Sequence, residues 1–321
     1  IGRKPVIMTC LAGAAISYVM LGLSSELWMV YAARAFAGIM AGNLGVASAM
    51  MADITSPENR AKGMGLIGAA FGLGMVLGPM IGGLLAGDDA SFTLPCLFAG
   101  VMSVLAIIAA AVFLPESLTA EKRAEHRADQ RSPDRLSLFR VLKLTHNRLV
   151  LLQYVLHTIC VSSVTYLFPL WMGDVLGWGA REVGIVFGIQ GAIMVVVQGG
   201  LMGFLVRTVG EWRLLCMCIA AFLGGLFTAV FAQGMFTMIG AMYVAMTGAT
   251  LCMPLLNTIV SHRTPMEYRG RIMGTTSSAS AWGRVFGPLL AGANLGLFGY
   301  SGAWLFCAFV LVFYLAWAVR E

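Results

Sequence analysis

Apolar runs of about twenty residues separated by short polar breaks set the pattern of this chain. They cover residues 5–23 and 27–51, a glycine-rich stretch from Gly65 to Gly83, and 94–114. After a polar interval come 149–173, 183–206, 213–232, 235–260, 272–297 and 302–319. Runs of this length suit helices crossing a hydrocarbon core about 30 Å thick. The pattern therefore predicts an all-α polytopic membrane protein of about ten spans. Ser24-Ser25-Glu26 is the first tight turn, and the second run carries Arg34 and Asn43 within it. ADITSPENRAK from Ala52 to Lys62 is a charged loop, and Gly87-Asp88-Asp89 closes the glycine-rich helix.

The interval from Glu116 to Arg148 holds eight Lys/Arg and five Asp/Glu. It divides the chain into an N-terminal half at 1–115, a cytoplasmic linker at 116–147 and a C-terminal half at 148–321. The segment RLSLFRVLKL inside it reads either as a helix on the membrane surface, snorkelling its basic residues, or as a solvated linker. Composition agrees with membrane residence: 59% of residues are hydrophobic and 11% charged, with a mean hydropathy of +0.84. The net charge of +6 would suggest nucleic acid for a soluble protein, but in a membrane protein its location decides its meaning. Arg3, Lys4, Arg60, Lys62, the linker cations, Arg207, Arg213, Arg263, Arg269, Arg271 and Arg320 fall on alternate connections or at the C-terminus. The opposite connections carry only Arg181, beside Glu182. The expectation is a multi-pass inner-membrane protein with both termini and the linker cytoplasmic. The seven cysteines lie in or beside apolar runs and read as small core residues, with no cofactor or metal implied.

Glycine in a helix costs roughly 1 kcal/mol against alanine and proline about 3, so GLIGAAFGLGMVLGPMIGG needs compensation that a membrane interior supplies. Gly74, Gly78 and Gly82 share one slowly drifting face, on which a neighbouring backbone is expected to pack closely. Pro79 withholds an N–H from the carbonyl of Met75, so a bend is expected there. The element recurs. Adding 209 to Arg60, Gly65, Gly74, Gly78, Pro79 and Gly83 reaches Arg269, Gly274, Gly283, Gly287, Pro288 and Gly292, the same residue types. Gly82 becomes Ala291. An echo of the opening Gly2-Arg3-Lys4 occurs at Val209–Arg213, one residue closer. Two parallel halves are expected.

Gly65, Gly74, Gly78, Pro79, Gly82 and Gly83 match, position for position, the fifth-helix antiporter motif of drug-exporting members of the major facilitator superfamily. Arg34-Ala35-Phe36-Ala37-Gly38 resembles the fourth-helix motif with its buried arginine, with Ala37 where glutamine is usual. Gly2-Arg3-Lys4 resembles the tail of the motif joining the second and third helices. The runs ADIT, AFG, GMVLGP and GG are similar to the tetracycline-efflux branch of twelve-helix drug:proton antiporters, although residues 213–232 lack that branch's acidic residue. The resemblance implies family helices 3–6 in the first half and 7–12 in the second, about ten of twelve, in two pseudo-symmetric halves. The chain opens at IGRKPVIM without an initiator methionine or signal peptide, and helices 1 and 2 are expected to be missing. In the similar family the proton-carrying carboxylate is on helix 1, so this segment alone is expected not to couple to protons. The resemblance further implies a cytoplasmic gate of Arg3, Lys4, Asp53 and Arg60, for which solvated topogenic charges are the alternative.

Charged and polar groups inside spans usually face a cavity or a partner. Arg34 is expected to serve the proton or substrate pathway. Arg284, one turn before Pro288, serves that pathway or bonds a carbonyl freed by the proline. His157, with Gln153 one turn earlier, is a proton relay or a hydrogen-bonded packing residue. Asn43, Gln190, Gln198, Asn257 and Asn294 are candidates to line a cavity, with Tyr31, Tyr154, Tyr166, Phe168 and Trp282 offering flat apolar surfaces or packing. No HExxH, GxSxG or paired acids occur within a span, so an enzyme is not expected. A channel would need a filter or a charged ring. The reading is a monomeric exporter of small lipophilic or amphipathic compounds in exchange for protons by alternating access. Its alternative is a proton-coupled symporter of the same fold, and neither involves nucleic acid.

Overall fold

A computed structural model describes residues 2–56, 60–87, 91–117, 148–232, 234–264 and 266–320, some within helices by backbone alone. The surface segment of the linker, Asp88 and Asp89 lie outside the described residues. Those described are almost entirely helical: α1 (Arg3–Gly22), α2 (Leu27–Ile39), α3 (Asn43–Ile54), α4 (Arg60–Ala86), α5 (Thr93–Phe113), α6 (Arg148–Leu176) and α7 (Ala180–Met194). A π-helical segment, Val195–Leu201, continues α7 into α8 (Met202–Val209), followed by α9 (Glu211–Phe231), α10 (Met235–Arg263) and α11 (Met266–Arg320). Among the described residues, seven stretches are long and apolar enough to cross a membrane. One of them is double. α11 is interrupted at Gly299, where φ of +67° breaks the helix, so it supplies the two runs expected at 272–297 and 302–319.

The second run differs from expectation. It is two helices, because the chain turns at Met40–Gly42. The Met40 side chain enters the space that a Cβ on Gly13 of α1 would fill. A bulky residue thus docks where glycine leaves a hole, and the glycine-rich sequence around it has little helix propensity to oppose the turn.

The chain forms two compact units, Ile1–Arg135 with Gly179–Gly188, and Leu136–Trp178 with Ile189–Glu321. In the first, α1 packs on α5, with Gly22 against Cys96 and Gly100 against the Ala15 carbonyl. The hydroxyl of Ser17 donates to the Ala33 carbonyl of α2 at 3.2 Å. In the second, α9 and α10 meet at reciprocal glycines. A Cβ on Gly225 would lie 2.5 Å from the Ala241 carbonyl, and one on Gly248 would lie 2.5 Å from that of Cys218. Backbone-to-backbone approach of this kind replaces the hydrophobic drive that lipid cannot supply between helices. Side chains such as Val101, Leu105 and Val112 of α5 stay exposed, as suits a surface bathed in lipid.

Candidate transport site

The two copies of the glycine motif are placed differently. In α11, a Cβ on Gly283 would stand 2.7 Å from Thr158 Cβ and 2.9 Å from the Val155 carbonyl of α6. One on Gly287 would stand 2.7 Å from Ser162 Cβ and 2.8 Å from the Ile159 carbonyl. Ser163 closes the seam by donating to the Gly287 carbonyl at 2.9 Å. In α4 the corresponding Gly74 and Gly78, and Gly82 beyond them, have no described atom outside their own helix within 4 Å of where a Cβ would be. No described neighbour closes the expected first-half seam on that face. Close approach occurs instead at Gly83, whose Cβ would lie 2.5 Å from the Ala180 carbonyl and 2.8 Å from Gly184 Cα. Gly188 adjoins the Met80 side chain one turn on. A helix has several faces, and spacing alone does not say which one finds a partner. Gly65 and Pro79 lie within α4, and Gly274 and Gly292 of α11 are open in the same sense as Gly78.

A second repeated device ties helix ends together. Gly2 precedes α1 and Gly210 precedes α9 as N-caps; Gly210 has φ of +86°, a conformation costly for any side chain. The next residue of each helix meets a side chain near the end of another helix, Arg3 as an ion pair. Arg3 Nε lies 3.3 Å from Asp53 Oδ2 near the end of α3, and Glu211 Oε2 lies 3.4 Å from His262 Nδ1 near the end of α10. The following residue donates to a carbonyl near the end of α5 or α11. Lys4 Nζ reaches Ala111 at 2.8 Å, and Trp212 Nε1 reaches Ala318 at 2.8 Å. The geometry repeats with the carboxylate moved to the other partner. Glu116 and Ser117 complete the first device: the Glu116 carboxylate accepts the Arg3 and Lys4 backbone N–H groups at 2.8 and 3.3 Å, and Ser117 donates to Asp53 at 3.2 Å. A carboxylate at a helix N-terminus satisfies otherwise orphaned donors. The polar composition from Glu116 onward assigns both residues to the linker, although Pro115 just before them marks the helix end. Arg60 opens α4, and its side chain lies outside the described residues.

This exchange of the carboxylate's place gives a direct test. Arg3→Glu or Asp53→Arg alone places like charges about 3 Å apart and should destabilise the first unit by about 1 kcal/mol. The double reversal, which puts the carboxylate on the first residue of the helix as in Glu211, should recover most of that loss in thermal melts.

The polar groups within spans separate into three environments. Arg34 is exposed, contrary to the expected buried arginine. Its neighbour Ala33 takes the buried position, and a step of one residue turns the next side chain about 100° round the helix. Arg284 is exposed too, and the described residues give neither arginine a hydrogen bond or ion pair, so the expected bond to a freed carbonyl is absent among them. Asn43 is exposed at the start of α3. His157 is 1% exposed and sits edge-on to Phe222 and Tyr314, with ring centroids at 6.3 and 5.9 Å. Its ring faces the Ala249 backbone without a well-formed hydrogen bond at either nitrogen.

The third environment is a polar face on α10. Thr247, Thr250, Pro254 and Asn257 follow one another at helical spacing, opposite the apolar face that packs on α9. Gln190 donates to Thr247 Oγ1 at 3.2 Å and Gln198 to the Thr250 carbonyl at 3.3 Å. The Tyr154 hydroxyl donates to Asn257 at 2.6 Å. The two threonines are not among the residues that the sequence singled out, though their spacing to Asn257 was a usable signal. Asn294 bonds back to the Leu290 carbonyl within its own helix. Of the aromatic candidates, Phe168 is fully buried, Tyr31 and Tyr166 are exposed, and Trp282 is exposed and stacked on Phe286.

Long apolar helices in two units, repeated end devices and a polar face on α10 define a polytopic membrane protein. The chain belongs to the major facilitator superfamily, whose model matches residues 1–288. It is 30% identical to a class E tetracycline resistance protein of Escherichia coli, over 90% of this chain and 71% of the relative. It is also 30% identical to major facilitator superfamily domain-containing protein 10 of Mus musculus, over all of this chain and 73% of the relative. Among solved structures, the human organic anion transporter MFSD10 superposes with a TM-score of 0.68 at 27% identity, over 97% of this chain and 77% of that one.

Proposed function

We propose that this protein exports small lipophilic or amphipathic, drug-like compounds across the inner membrane in exchange for protons, by alternating access of two halves divided at residues 116–147. The observation that carries the reading is the unequal state of the repeated motif: closed at Gly283 and Gly287, open at Gly74 and Gly78. An open glycine face is suited to a partner that arrives and leaves. The tetracycline resistance relatives, by their names, support a drug as the cargo. In this reading the termini and linker are cytoplasmic, the protein acts as a monomer, and the Arg3, Lys4, Asp53 and Arg60 group holds the cytoplasmic gate. Asn43, Gln190 and Gln198 serve the pathway, with His157 behind it. The test is flux of a lipophilic dye by the full-length protein in liposomes. An imposed pH gradient should drive the dye against its own gradient and a protonophore should abolish this; flux indifferent to both refutes proton exchange.

A second reading of the cargo is an organic anion. It is favoured by Arg34 and Arg284, exposed cations within spans, and by the likeness to MFSD10, an organic anion transporter. Competition of the dye flux by matched aromatic cations and anions separates the two, since Arg34→Ala should weaken only the anion.

A further inference from the structure

Pro254 interrupts the bonding of α10. Lacking an N–H, it leaves the carbonyl of Thr250, four residues earlier, without its helical donor. An unsatisfied carbonyl in a membrane is costly, and some other group must serve it. That group is the side-chain amide of Gln198, at 3.3 Å, beyond the usual distance for a good N–H···O bond. The bond is long and therefore weak.

Gln198 stands on the π-helical segment Val195–Leu201, a rare local geometry often associated with functional sites. The next two residues, Gly199 and Gly200, are exposed and have no described atom outside their helix within 4 Å of a Cβ position. Thr250 is exposed as well. A small molecule thus has access to the carbonyl past a bare stretch of backbone. Nearby, Gln190 is 5% exposed, and its Oε1 has no hydrogen-bond partner although its amide is held by Thr247. The face thus carries, besides the weakly served carbonyl, one acceptor without a donor among the described residues.

We propose that the Thr250 carbonyl is a hydrogen-bond-acceptor subsite for an N–H or O–H donor on the transported compound, and that Gln198 occupies it until that donor arrives. This deepens the export reading and rests on it. Gln198 is then a specificity-determining residue that competes with cargo. A donor-bearing compound displaces it at the cost of one weak bond, whereas a compound of equal shape without a donor leaves the carbonyl to the glutamine.

The experiment uses the protein in lipid nanodiscs and two fluorescent aromatic sulfonamides that differ only in one N–H, replaced in the second by N–CH3. The parent should bind the N–H probe about fivefold to tenfold more tightly, the range of one hydrogen bond. Gln198→Ala removes the competitor and should tighten the N–H probe further, about threefold or more, on the same scale. Pro254→Ala restores the helical donor and should bring the N–H probe down to the affinity of its methylated twin. The methylated probe should be unmoved by either change. Equal affinities for the two probes in the parent, parallel shifts of both in the variants, or weakening of the N–H probe by Gln198→Ala would each overturn the subsite while leaving the export reading in place. Gln198→Ala leaves the helix backbone untouched, so the outcome does not depend on how Pro254→Ala folds. Failure of the parent to bind either probe would count against the export reading itself, and the subsite would fall with it.

Discussion

Gly287→Leu should prevent the second unit from folding. The first carbon of the new side chain would lie 2.7 Å from Ser162 Cβ and 2.8 Å from the Ile159 carbonyl, and three more carbons must follow it. Overpacking that displaces only flexible side chains costs about 1–3 kcal/mol. Here the obstacle includes backbone on a helix that is also held by the bond from Ser163 to the Gly287 carbonyl, so relief requires separating α6 from α11. A loss of about 3 kcal/mol or more is expected, read as a collapse of the monodisperse fraction in detergent and of the thermal midpoint. Gly287→Ala should fall between leucine and the parent.

Gly78→Leu, the equivalent change in the first copy, should behave in the opposite way. No described atom outside its own helix lies within 4 Å of the Cβ position, and leucine is the better helix former. Stability should stay within about 0.5 kcal/mol of the parent, the usual range for an open position. Transport should nevertheless be lost, because alternating access requires the open glycine face to meet a partner in another conformation, and leucine blocks that approach. Dye efflux and thermal melts on the same preparation check both halves of the expectation. Efflux equal to the parent would show that this face stays open throughout the cycle. The pair is informative because the residues are related by the repeat and differ only in what each one touches.

Much of this architecture follows from the chain alone. The lengths of the apolar runs, the glycine and proline spacings at Gly74, Gly78 and Pro79, and their recurrence 209 residues later are enough to specify a helical membrane protein of this superfamily, because a bilayer admits few solutions for such runs. The Arg3 and Asp53 pairing was legible through the same resemblance. The tertiary structure decided which helix face is used, a matter of a 100° rotation per residue that periodicity leaves open. It set Arg34 outward beside a buried Ala33, divided the second run at Met40 because Gly13 accepts that side chain, and moved the close approach of α4 from Gly78 to Gly83. It also brought Glu116 to the start of α1, 113 residues away, and Gln198 to the carbonyl that Pro254 leaves free. The proline announces its unpaired carbonyl in the sequence, but only packing chooses the donor, because the partner comes from a different helix and the pairing depends on where a π-helical turn places one amide.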